Sequence, residues 1–289
     1  MRVRDEGSGG AAKAKVTAEA VKPVSDIDVN IPEICSKSKE NCYALIIGNE
    51  DYSSHQMDLS SEVNVDFARN DATAFRNYAK NVFCVPDKNI IFLLDAKAVE
   101  MHRAIEKISL LTELSNGEAE IIFFFAGHGF PDEITKEPYI MPVDVSGNDL
   151  KFALNLNDLY NKLTTYPHKK ITVFLDACFS GGARNQGLLA ARGVKVKPKT
   201  GVLNGNLVVY SASSGQESSL PYKEKQHGMF TYLLLKKLQE TKGDINYSDM
   251  ADYLKTEVAK NSILINNKPQ NPQINVSPAI YNEWVNWEF

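Results

Sequence analysis

The sequence predicts an α/β fold built on a parallel sheet. Short continuous apolar runs recur along the chain, bounded by Gly, Asn or Asp, as strands buried on both faces require. Longer segments with apolar residues at helical spacing lie between them, so the order reads β-α-β-α. Two of the runs, Ala119–Gly129 and Ile171–Gly182, end in small residues around one reactive side chain each, His128 and Cys178.

Residues 1 to about 40 are rich in Gly, Ala, Lys, Ser and Pro without a sustained period, and read as a flexible leader or linker with little fixed structure. The first strand is Tyr43–Asn49. Phe67, Phe75, Tyr78, Ala79 and Val82 then recur largely at helical spacing. Asn89–Asp95 is the second strand, and Val99, Ile105, Ile108, Leu111 and Leu114 outline a helix that Asn116-Gly117 stops. The His128 strand is third. A short extended piece, Tyr139–Asp144, follows, and Asn157 or Asp158 is expected to cap a helix carrying Leu159, Tyr160 and Leu163 and closed by Pro167. The Cys178 strand is fourth, Leu207–Ser211 fifth and Asn271–Ser277 a last one. Helices are expected over Gly228–Glu240 and Tyr247–Lys260.

The stretch from Ser180 to Asn206 carries Arg184, Arg192, Lys195, Lys197 and Lys199 and no acidic residue. It is too long for an ordinary connection, and such loops serve function or stay disordered.

With 289 residues, 43% of them hydrophobic, the chain can fill one large core or two small ones. The 32 basic and 36 acidic residues leave a net charge of −4, so no bulk electrostatic case exists for nucleic acid or an anionic membrane. No apolar run approaches the roughly 18 residues of a membrane span, and the amino end lacks the apolar core of a signal peptide. Cys35, Cys42, Cys84 and Cys178 show no C-x-x-C spacing, so reduced thiols are expected, with Cys35, Cys42 and Cys84 structural or incidental. A cytoplasmic location is the default expectation, and export with a leader that was since removed is the alternative the sequence leaves open.

In an open parallel sheet, ligands bind beyond the carboxyl ends of the strands, where residues distant in sequence meet. A thiol is mostly protonated at neutral pH, and a neighbouring imidazole raises the thiolate fraction or shuttles the proton. Cys178 and His128 therefore read as a nucleophile with its partner. A cysteine at a strand end, taken alone, is more often a buried small hydrophobe; the matching histidine strand and glycine flanks reverse that weighting. His55, His102, His168 and His227 lack such a setting and read as surface or capping residues.

Gly127-His128-Gly129 together with Asp176-Ala-Cys-Phe-Ser-Gly181 resembles the caspase-like cysteine peptidases, particularly their metacaspase and bacterial branch. The known caspase pattern puts the histidine about 50 residues before the cysteine; here 178 − 128 = 50, a match to that pattern and not an independent inference. Tyr43–Tyr52 is similar to the family's first strand and Asn70-Asp-Ala72 to the start of its first helix. Tyr210–Ser213 and His227–Tyr232 resemble its small-subunit portion. The resemblance implies a caspase-like sandwich, with roughly six mostly parallel strands flanked by helices, over about residues 41–289. It divides into a large-subunit-like part to about 183, a basic processing loop at about 184–204 and a small-subunit-like part from about 205.

It further implies peptide hydrolysis through a thioester, with an oxyanion hole from the Gly129 and Cys178 N–H groups. Where caspases place glutamine two residues before the nucleophile, this chain has Asp176, as metacaspase-like enzymes do. A carboxylate there favours a substrate cation, so cleavage after Arg or Lys is expected, with Asp66 as a second pocket residue. Asp176 could instead be a structural carboxylate at the sheet end, and Asp66 a helix cap. Self-cleavage is expected at the loop's basic residues. Some relatives need calcium, but the scattered carboxylates show no EF-hand pattern; no metal site or cofactor is assigned. Peptides or proteins with basic residues are the expected partners, and the oligomeric state is left open. The rival reading is a caspase-fold module that binds peptides without turnover; a more distant one is another thiol enzyme, such as an acyltransferase, on the same sheet.

Overall fold

The computed structural model describes residues 24–56, 63–147, 149–179, 201–215 and 217–289. Strand β1 (Cys42–Gly48), buried throughout, is followed by α1 (Ala68–Asn81), β2 (Ile90–Leu94) and α2 (Ala98–Leu114). Then come β3 (Glu120–Pro131), the short β4 (Pro138–Ile140) and β5 (Leu154–Asn155), α3 (Leu156–Leu163) and β6 (Lys170–Cys178). The remainder is β7 (Leu207–Ser211), β8 (Pro221–Tyr222), β9 (His227–Gly228), α4 (Met229–Thr241), α5 (Tyr247–Asn266) and β10 (Gln273–Val276).

The main path of the sheet runs β10-β7-β6-β3-β1-β2. Its strands are parallel except β10, which pairs antiparallel with β7. The end of β3 carries β4 and β5 as an antiparallel flap. This is the mostly parallel, helix-flanked α/β sandwich that the sequence predicts.

Alternation along the strands divides the core in two. Phe123 and Phe125 of β3 pack with Met101, Ile108 and Leu159, on the α2 and α3 face. Phe124 and Phe174 pack with Phe75, Leu234 and Leu254, on the α1, α4 and α5 face. Even-numbered residues of β3 and β6 thus point toward α1 and α4, and that set includes His128, Asp176 and Cys178.

Several expectations need correction. The cap of α3 is Asn155, whose side chain accepts from the Asn157 and Asp158 amides, because the helix starts earlier than its apolar pattern suggested. Residues 24–40 are packed on the domain instead of lacking fixed structure. Ile27 is buried, the Tyr78 hydroxyl donates to its carbonyl (3.2 Å), and Asp26 lies 3.0 Å from both Lys225 and Lys236. Cys35 and Cys84 form a disulfide with Cα atoms 5.3 Å apart, overturning the expectation of reduced thiols for that pair. A bond of this kind tying the segment to the end of α1 leaves no spacing signature. Cys42 stays free, and burial pushes its thiol up to about 12.

His227 is likewise no surface residue. It is fully buried, with Nδ1 2.9 Å from Asp71 of α1 and Nε2 3.2 Å from Asp28. Burial alone would push the imidazole down, but the hydrogen bonds to Asp28 and Asp71 override it and hold the ring up at about 9. A protonated ring donates from both nitrogens and so joins the amino-terminal segment, α1 and β9.

Two outcomes follow for stability. Cys35→Ser should cost about 2–4 kcal/mol in denaturant titration, because the bond closes a long loop of the unfolded chain, and reductant should lower wild type to the level of the variant. The raised imidazole stabilises fully below its unfolded value of 6.5, and that contribution is lost as pH rises through about 9. Wild type should therefore lose about 2–3 kcal/mol more than His227→Gln between those limits.

Candidate active site

His128 and Cys178 are register partners on adjacent parallel strands, β3 and β6. They lie side by side at the carboxyl ends of those strands, on the same face of the sheet. His128 is 5% exposed and Cys178 3%, so both groups sit in a largely desolvated setting.

Two groups grip the imidazole. Its Nε2 lies 2.5 Å from the Val63 carbonyl, and a carbonyl can only accept, so Nε2 carries the proton. In the neutral ring this leaves the lone pair on Nδ1. The Tyr52 ring packs on the imidazole with centroids 4.4 Å apart. The Tyr52 hydroxyl accepts the His128 amide (3.0 Å) and donates to the Met141 carbonyl (3.1 Å). The Met141 amide in turn donates to the His128 carbonyl (3.0 Å).

His128 thus uses both its backbone groups on one side of β3. Backbone groups alternate sides along a strand, so the Gly129 N–H faces the β6 side, where Cys178 ends its strand. A side chain at 129 would not fit: a Cβ there would stand 2.6 Å from the Cys178 carbonyl oxygen and 2.7 Å from the Phe179 ring. Gly127 meets a similar limit, since a Cβ would come within 2.9 Å of the Tyr52 hydroxyl.

Ser219 covers the sulfur. Its amide donates to Cys178 Sγ (2.5 Å), and Sγ lies 3.6 Å from its carbonyl. An N–H aimed at sulfur favours negative charge there. The Ser219 hydroxyl donates to Asp176 Oδ1, while Thr231 of α4 gives Oδ2 its hydroxyl (2.6 Å) and its amide (3.2 Å). Asp176 is fully buried at the floor beside the sulfur, so the structural role weighed for it is present. Residue 66 is not the cap of α1. That place belongs to Phe67, in the left-handed region at φ 69° and with no side-chain cap bond.

Arg184, Arg192, Lys195, Lys197 and Lys199 lie outside the described residues. Ser219, Thr231, Tyr52 and Val63 carry no expected role, and each acts through a contact that sequence spacing does not encode. A cavity of about 240 Å³ lies against the opposite face of β6, lined by Leu175, Phe179, Ser211, Ser213 and Gly215 among others. The larger cavity, about 610 Å³ between α2, α3 and the β4–β5 flap, holds neither His128 nor Cys178. Chemistry and not volume locates the site. Among the described residues no group of three or more His, Cys, Asp or Glu is placed to hold a metal ion. Among them, too, no helix is long and apolar enough to cross a membrane.

Comparison with known proteins agrees with this fold. The sequence matches the caspase domain family over residues 41–279. No curated protein sequence matches it. Among solved structures, the fold is similar to a Geobacter sulfurreducens protein, GSU0716, with TM-score 0.62 and 16% identity, covering 86% of this chain and 97% of that one. It is also similar to caspase-1 from Spodoptera frugiperda, with TM-score 0.55 and 13% identity, covering 92% of this chain and 94% of that one.

Proposed function

The chain belongs to the caspase-domain family of cysteine peptidases, and from that premise we propose that it is an endopeptidase working through Cys178 and His128. The observation that carries the reading is their register pairing at the carboxyl ends of β3 and β6.

His128 Nδ1 takes the thiol proton and the Cys178 sulfur attacks the scissile carbonyl carbon. The carbonyl electrons move to oxygen, and the resulting oxyanion accepts hydrogen bonds from the Gly129 and Cys178 N–H groups. Losing one such donor costs roughly 3–4 kcal/mol where it has been measured. Collapse expels the amine, which takes the proton back from His128, and leaves a thioester. His128 then removes a proton from water, which attacks the thioester carbon; collapse breaks the carbon–sulfur bond, frees the acid and returns the proton from His128 to the Cys178 sulfur. The Val63 carbonyl holds the imidazole in the tautomer this sequence needs. Proteins are the substrates of the family, and the sulfur must be uncovered from Ser219 for one to reach it.

Asp176, with Asp66 beside the start of α1, selects Arg or Lys before the cut. Support comes from a buried carboxylate on the same strand face as the nucleophile, two residues away. A desolvated negative charge attracts a guanidinium or ammonium and repels an aspartate. The basic residues between Arg184 and Lys199 meet that preference within the chain itself, so they are the proposed sites of self-processing.

Reporter peptides ending in Arg or Lys should be cleaved at least ~100-fold faster than Asp-terminated ones, and Cys178→Ala should abolish release. Equal rates for the two classes would remove the specificity, and an unaffected Cys178→Ala protein would remove the mechanism. A chain that binds the reporters without releasing product would favour the non-catalytic module. On denaturing gels, active protein should divide into two fragments. Cys178→Ala should stay whole, as should protein with Arg184, Arg192, Lys195, Lys197 and Lys199 all replaced by Gln.

A further inference from the structure

The two groups that grip His128 belong to one loop, the connection between β1 and α1. Tyr52 sits near its start and Val63 near its end, and the sheet itself fixes neither. On the first side, Asp95 past the end of β2 accepts the Glu50 and Asp51 amides, both at 2.9 Å, and pairs with Arg69 of α1. Glu50 accepts the Arg69 amide (3.0 Å) through its carboxylate.

The two sides are joined at Asn64. Its Oδ1 accepts from the Tyr52 amide (3.0 Å) and the Ser53 amide (2.9 Å), and its Nδ2 donates to Asp51 (3.4 Å). One backbone rung, Val65 N–H to the Glu50 carbonyl at 3.0 Å, lies beyond it. Asn64 directly follows the carbonyl that holds Nε2, and its side chain clamps the amide of the residue whose ring and hydroxyl hold the rest of the histidine. A change in that side chain therefore moves the imidazole relative to the sulfur without touching either.

We propose that Asn64 is a positioning residue for His128, clipping Tyr52 to Val63 so that ring and carbonyl hold the imidazole in the orientation that presents Nδ1 to Cys178. The inference rests on the Cys178–His128 reading above. A misplacement of about 1 Å in such a site costs on the order of 100-fold in rate, which is the scale expected here.

The test compares wild type with Asn64→Ala and Asn64→Ser. Both variants should keep KM within about twofold and lose about 10- to 100-fold in kcat on the best reporter peptide. Their melting temperatures should stay within a few degrees of wild type. The second readout needs no turnover. The pH profile of Cys178 alkylation by iodoacetamide, mapped by mass spectrometry, should move in both variants toward that of an ordinary thiol, since the imidazole no longer assists. The buried Cys42 thiol, pushed up to about 12, does not compete.

An unchanged kcat and alkylation profile would overturn the proposal, and so would failure of both variants to fold, which would assign Asn64 to the fold alone. If wild type cleaves no reporter, the functional reading falls, and the alkylation profile still decides whether Asn64 sets the histidine against the sulfur.

Discussion

The site rests on the in-register parallel pairing of β3 with β6. From Glu120↔Lys170 to His128↔Cys178 every pair differs by the same 50 positions. The spacing between the two reactive residues is thus the register of two strands. Side chains alternate along a strand, so a slip of one position would turn either residue to the far face of the sheet, against α2 and α3. Two layers of buried aromatic residues, Phe123 and Phe125 on one face and Phe124 and Phe174 on the other, make such a slip costly, because it would put each set against the wrong helices.

Around that pairing the surroundings of His128 and Cys178 are completed by segments from elsewhere. The β1–α1 loop supplies Tyr52 and Val63 to the histidine, and the segment after β7 supplies Ser219 to the sulfur. Ser219 also touches Asp176, and α4 reaches the same carboxylate through Thr231. The chain up to β6 and the chain from β7 onward therefore meet at Cys178. A second junction, fully buried, joins them through His227 and Asp71. Asp28 of the amino-terminal segment holds the other nitrogen of that ring. Two carboxylates around one imidazole are tolerable only when the ring is charged, which is why burial does not neutralise it.

Much of this was legible. The strand-helix alternation, the parallel sheet and the pairing of Cys178 with His128 follow from apolar runs and from the small residues that end them. Gly129 was legible as a glycine flank of His128, and the Cys178 carbonyl and the Phe179 ring, which a Cβ there would meet, give a structural reason for it. The start of α3 was misjudged by two residues because an Asn-rich stretch offers several caps and only the hydrogen bonds choose among them. The carbonyl of Val63 had no signature at all, since every residue has one.

By itself the sequence determined the class of fold and the strand ends that bear the reactive groups, because these are properties of local period and of residue chemistry. Tertiary structure alone decided the Cys35–Cys84 bond, the packing of residues 24–40, the charge-paired burial of His227 and the clip through Asn64. Each of those depends on which distant segments touch. Such contacts are chosen by the packing of the whole chain against its loss of conformational entropy, and neither quantity is local to any stretch of residues.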